Sequence, residues 1–177
     1  MLKKITIAVL VLLAIPFISA LFIKSDYSVE RSVMIDKPLV QVFDYVRLLK
    51  NQNDYATWGM KDPNIKRSYL GKDGTVGFVS IWESDDPEVG FGEQEIKKIV
   101  PNQRVDFELR FIKPFEATEP AFMTTEAVSA EQTKVTWGFK GHLDYPMNLM
   151  FLFIDFEGQI GNDLQNGLNN MKNILDK

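Results

Sequence analysis

MNLMFLFIDFEGQIGNDLQNGLNNMKNIL, residues 147–175, is the stretch on which the fold turns. Leu149, Phe153, Phe156, Ile160, Leu164, Leu168, Met171 and Leu175 recur at intervals of three and four, the period of an amphipathic helix. A helix from about Met147 to Ile174, roughly 28 residues, spans about 42 Å at ~1.5 Å per residue. Upstream, from Gly90 to Tyr145, apolar and polar residues alternate instead, the period of strands. One long helix laid across a curved antiparallel sheet leaves space between the two. The chain is therefore a candidate container for an apolar molecule.

Working toward the N-terminus, each strand has its own signal. Thr133 to Leu143 carries Val135, Trp137 and Phe139 on one face, and Glu116 to Val128 precedes it. Val105, Phe107, Leu109 and Phe111 form the clearest one-sided strand, entered through Pro101-Asn102 and left at Lys113-Pro114. Phe91 to Val100 comes before that, then Val76 to Glu83, with Phe78 and Trp82 on one side, and Asn64 to Leu70. Tyr27 to Asp36 is the first strand, with Val29, Val33 and Ile35 aligned. Pro38 suits a first helical turn, and Leu39, Val42, Phe43, Val46 and Leu49 give that helix an apolar stripe. Asn51 to Pro63, with Tyr55 and Trp58, reads as a short irregular helix and loop. The order is β-α, six strands, then α. Short turns between the strands force antiparallel pairing of about seven strands. The expected class is α+β.

Residues 1–24 form a separate element. Lys3 and Lys4 precede an apolar run of 19 residues, Ile5 to Ile23, interrupted only by Thr6, Pro16 and Ser19. As a helix they span roughly 28 Å, close to the ~30 Å hydrocarbon thickness of a bilayer. The basic flank orients the N-terminus inside, which puts residues 25–177 outside the cytoplasm. A cleaved signal peptide is the other reading, with Pro16 as breaker and Ile18-Ser19-Ala20 as the cleavage site. Both export the domain, one as a single-pass membrane protein and the other as a soluble one. There is no cysteine, so disulfides, thiolate metal sites and a Cys nucleophile are excluded.

Beyond residue 24 the chain has 17 basic and 24 acidic residues, net −7. That argues against nucleic acid, which needs a basic face, and against charge-driven docking to anionic headgroups. About 150 residues make one ordinary domain, burying close to 70% of its unfolded surface. No protein partner is legible.

Candidate chemistry is sparse. His142, the sole histidine, stands near Asp144 and Tyr145, but strand alternation puts it opposite Val135, Trp137 and Phe139, outside the cavity. One histidine and no cysteine leave no metal site of the zinc kind. Glu93 and Glu95 share a strand face with Lys97 and read as a solvated face or a carboxylate pair. Glu157 falls among Phe153, Phe156, Ile160 and Leu164. Either it faces the cavity and orients a ligand's polar end, or it pairs with Arg31 or Arg110, or it escapes at the stripe's edge. Gly158 and Gly161 bend the helix, let it approach the sheet closely, or form a ligand gate. Phe43, Trp58, Trp82, Phe107, Trp137, Phe153 and Phe156 are spread over every element around the cavity. With Glu157 and Ile160 they are the expected ligand-pocket residues. No catalytic residue, phosphate loop, dinucleotide fingerprint or cofactor motif is expected.

The chain also resembles the START-like, or SRPBCC, superfamily. The resemblance rests on Tyr27-Ser-Val-Glu-Arg-Ser-Val-Met-Ile-Asp-Lys-Pro38, Trp58-Gly-Met-Lys-Asp-Pro63, Pro101-Asn-Gln-Arg-Val-Asp-Phe-Glu-Leu109, Thr133-Lys-Val-Thr-Trp137 and Ile160-Gly-Asn-Asp-Leu164, in that order. Within it, the chain is most similar to the branch labelled polyketide cyclase/dehydrase and lipid transport. The resemblance covers residues 27–175 and implies the helix-grip fold, a sheet wrapped around the C-terminal helix with an apolar cavity between. It does not imply cyclase activity. The expected function is a membrane-tethered binding module for a small hydrophobic or lipid-like ligand. The alternatives are an interaction module with a filled core, and a cyclase- or hydrolase-like enzyme in the same cavity.

Overall fold

The computed structural model describes residues 2–177. A 19-residue helix, α1 (Leu2–Ala20), is followed by β1 (Asp26–Ile35), α2 (Leu39–Val46) and two single-turn helices, α3 (Gln52–Tyr55) and α4 (Trp58–Lys61). Then come β2 (Lys66–Leu70), β3 (Val79–Glu83), β4 (Phe91–Val100), β5 (Arg104–Lys113), β6 (Ala117–Ser129) and β7 (Gln132–His142). A 3-10 turn (Met147–Leu152) leads into α5 (Phe156–Leu175). The strands form one antiparallel sheet in the order β1-β7-β6-β5-β4-β3-β2. Only the β1–β7 pairing is remote in sequence; it brings the first strand against the last.

The short connections have local causes. Asn102 opens the β4–β5 turn at φ 59°, a left-handed conformation that asparagine tolerates better than most residues. Irregular register near Ile96–Lys98 and Ala127–Ser129 helps to curl the sheet. β3 starts at Val79 rather than Val76, because Gly74 and Gly77 have positive φ and Val76 projects into solvent.

The core fills one end of the concave face. Ile35, Phe78, Ile96, Val105, Phe107, Met123 and Val135 line the sheet there. Val42, Phe43 and Val46 of α2, with Leu164, Leu168 and Met171 of α5, cover them. α5 packs mainly along β1.

The C-terminal helix differs from expectation at its start. It begins at Phe156, not Met147, and has 20 residues, about 30 Å at ~1.5 Å per residue. Asp155 is the reason: its carboxylate accepts a hydrogen bond from Gly158 N at 2.8 Å, an N-cap that sets the helix start. Upstream the chain makes a 3-10 turn, and Phe153 points out, 85% exposed. The apolar period through 149–153 is therefore not the helix's buried stripe. Gly158 leaves room for the capping carboxylate and Gly161 for the Arg31 guanidinium; a Cβ at either would collide.

Leu168→Ala is expected to lower the unfolding free energy of the full chain by about 2–5 kcal/mol, as for other fully buried leucines. Phe153→Ala is expected to change it by less than about 0.5 kcal/mol. Denaturant titration in mild detergent checks both.

Candidate functional site

The other end of the concave face is open. A cavity of about 450 Å³ lies where β1, β4 and β6 begin and β3, β5 and β7 end. Leu109 and Phe111 of β5, Ala117 of β6, Phe139 of β7 and Trp82 of β3 form its floor. Ala56, Trp58 and the first turns of α5, through Phe156 and Ile160, form its roof.

These side chains are held in place by specific contacts. Trp82 lies flat across β4 because residue 92 is glycine; a Cβ there would strike the indole. Its Nε1 donates to Val89 O at 3.2 Å. Gly141 likewise makes room for the Tyr27 ring, which packs against Phe139, Phe151 and Phe156 at centroid distances of 5.6 to 6.1 Å. Arg67 donates to Gly59 O at 2.7 Å, and Thr57 Oγ1 bonds to Asp163 at 3.1 Å. Together they fasten α4, with Trp58, to both β2 and α5.

Polar groups enter this apolar space at a few points. Glu119 projects inward from β6 and is 9% exposed. One carboxylate oxygen accepts the His142 backbone N–H at 2.9 Å. Burial raises its pKa above the ordinary carboxylate value and outweighs that hydrogen bond. Burial, reinforced by the nearby Glu119 charge, pushes the Tyr27 phenol up to about 12, so it remains a neutral donor at any physiological pH. Gln94 and Gln52 also line the cavity, and the Gln52 amide nitrogen is buried without a hydrogen-bond partner. The cavity thus offers an acceptor, Glu119, and several donors to a ligand that brings its own polar end.

Of the expected pocket residues, Trp58, Trp82, Phe156 and Ile160 line the cavity. Phe43, Phe107 and Trp137 do not. They lie in the solid core, where α2, α3 and α5 close over the sheet, and the Trp137 ring meets Trp58 edge-on at 6.1 Å. Phe153 is outside, beyond the Asp155 cap. Glu157 sits at the edge of the helix stripe and pairs at the surface with Lys24 rather than with Arg31 or Arg110. Glu93 and Glu95 turn to the outer face, where with Glu108 they converge on Arg110; the Glu95 contact is 2.7 Å. His142 is at the rim, half-exposed, between Asp26 at 2.7 Å and Asp144 at 3.3 Å. It borders the cavity because the sheet ends there, so its outward parity does not carry it away. Glu119, Gln94 and Tyr27 were not among the expected residues. Their inward strand parity, shared with Ala121, Ile96 and Val29, is the signal that finds them.

No family model and no curated protein matches the chain. Solved structures share its fold. The Aha1 dimer from Colwellia psychrerythraea aligns with 14% identity and a TM-score of 0.58, over 85% of this chain and 96% of that one. Ara h 8.0201 aligns with 13% identity and a TM-score of 0.58, over 85% and 97%. DynU16, of the dynemicin biosynthetic locus, aligns with 15% identity and a TM-score of 0.58, over 85% of this chain and 47% of that one. At these identities the likeness establishes the fold alone, a seven-stranded antiparallel sheet closed around the C-terminal helix, which is the helix-grip fold.

The Asp26 carboxylate holds the His142 imidazole above its ordinary 6.5. A raised folded-state value means that the pairing's contribution to stability is present below about pH 6.5 and is lost as pH rises through the folded value. As the only histidine, His142 gives a single imidazole NMR titration, with an expected midpoint above 6.5. Asp26→Asn is expected to move that midpoint down.

Proposed function

We propose that this protein binds a small hydrophobic or lipid-like molecule in the cavity beneath α5. In this reading residues 5–23 tether it to the membrane and the domain at 25–177 lies outside the cytoplasm. The observation that carries the reading is the cavity itself. Its volume, about 450 Å³, lies within the ~300–1,000 Å³ typical of ligand sites, and its walls are mainly apolar with few polar groups. A filled interior, as an interaction module would have, does not fit such a space.

The tether is supported by α1, whose Lys3–Ala20 stretch has a mean hydropathy of 2.0 and is only 6% buried. Such a helix is long and apolar enough to cross a membrane. A signal sequence passes the same test, and the two differ in whether the mature chain retains it. Membership of the polyketide cyclase/dehydrase and lipid transport branch belongs to the same proposal.

The buried Glu119 narrows the ligand class. A carboxyl in apolar surroundings favours a ligand with a hydroxyl or other donor at one end and hydrocarbon elsewhere. An enzymatic reading would cast Glu119 as an acid or base, but its carboxylate is engaged by the His142 backbone N–H, and the His142 ring bonds Asp26 and Asp144 at the rim instead of Glu119. Binding without chemistry is therefore the reading preferred.

Titration of delipidated protein with a fluorescent fatty-alcohol probe tests it. Saturable one-to-one binding is expected. Ala117→Trp, which fills the cavity floor, is expected to weaken binding at least tenfold, or about 1.4 kcal/mol. Glu119→Leu is expected to shift preference from the alcohol toward a plain hydrocarbon probe. No saturable binding of any chain length would overturn the proposal.

A further inference from the structure

The cavity and the end of α1 share one end of the sheet. The lining side chains come from the starts of β1 and β6, such as Tyr27 and Ala117, and from the ends of β5 and β7, such as Phe111 and Phe139. The opposite end is packed solid. α1 runs into β1 through residues 21–25 alone, so it arrives at the cavity end.

That junction is fixed. Asn148, 2% exposed, donates from its amide nitrogen to Ala20 O at 2.7 Å and to Ile23 O at 3.0 Å. Ala20 is itself buried at 2%. Lys24 pairs with Glu157 at the start of α5, and its Nζ lies 5.4 Å above the Phe151 ring. The end of α1 is thus bolted to the 3-10 turn and to the start of α5, and its direction relative to the cavity is set.

Around the bolted junction the surface is apolar to an unusual degree. Phe22 is 84% exposed and Phe153 85%, with Leu21 at 69%, Leu152 at 61% and Met147 at 49%. These residues belong to the two segments that Asn148 clamps together. The rim they form continues directly from α1, which exposes apolar side chains such as Ile5, Leu12 and Phe17 along its length. Water is a poor solvent for both surfaces, and one apolar phase would cover both.

We infer that this rim is seated in the surface of a lipid bilayer, with the cavity mouth turned toward the membrane, so that the ligand passes between bilayer and cavity without crossing bulk water. The inference rests on the membrane-tethered reading above and adds the orientation and the lipid contact. Seating is driven by apolar insertion, not by charge. With a net charge of −7 outside residues 1–24, the domain gains nothing from anionic headgroups. Phenylalanines on short turns enter the headgroup boundary as interfacial apolar side chains do. Tyr145, 51% exposed on the neighbouring loop, suits the same depth.

The chain has no cysteine, so single spin labels can be placed without background. Full-length protein carrying Phe153→Cys, Leu152→Cys, Leu12→Cys or Glu131→Cys, the last in the β6–β7 turn at the far end of the sheet, would be reconstituted into phosphatidylcholine vesicles. Accessibility to oxygen and to a water-soluble nickel complex would then be compared. At 152 and 153 the oxygen-to-nickel ratio is expected to exceed that at 131 and to be unchanged by added anionic lipid or salt. Ratios at 152 and 153 equal to that at 131, with 12 in lipid, would overturn the orientation while leaving the tether intact. Shielding of 152 and 153 from both reagents would mark a protein contact and also overturn it. An aqueous Leu12→Cys label would bring down the tether, and the inference with it.

Discussion

A single 20-residue helix cannot cover the concave face of a seven-stranded sheet, and the rest of this molecule follows from that mismatch. α5 lies along β1 and fills one end with Leu164, Leu168 and Met171. The short helices α3 and α4 reach over the middle, pinned by Arg67 and Thr57. What remains is a space of about 450 Å³ at the end where the Asp155 cap starts the helix.

The strands were legible from sequence because a half-buried sheet imposes a period of two, and Val105 to Phe111 or Val135 to Phe139 show it plainly. The helix start was not. Leu149 and Phe153 continue the helical spacing, yet Phe153 is exposed and Leu149 lies in a 3-10 turn. Apolar periodicity reports only that residues avoid water. It does not say whether they avoid it in a core or at another apolar surface. Asp155 with Gly158 three residues on was the overriding local signal, since a capping carboxylate with an unobstructed amide defines a helix start.

The site was half legible for a related reason. Large aromatic residues mark the inside of the grip but not which end of it is solid. Trp58 and Trp82 line the cavity, while Phe43 and Phe107 are core at the opposite end. Glu157 falls on the apolar side of a helical wheel, but a wheel is coarse, and a small rotation takes the side chain to Lys24 at the surface. Glu119 stands in a strand of mixed composition, where its parity with Ala121 and Met123 is the one sign that it points inward. It is Glu119, between apolar walls and with its pKa raised by burial, that gives the cavity its chemical direction.

The central claim is that the space beneath α5 holds a molecule. Native mass spectrometry of the full chain, purified in mild detergent and then incubated with a total lipid extract of the cells that produced it, tests this. The account predicts a population carrying one added mass of the size of a single fatty-acyl-sized apolar molecule, extractable into organic solvent. A chain that keeps its bare mass under those conditions would contradict it.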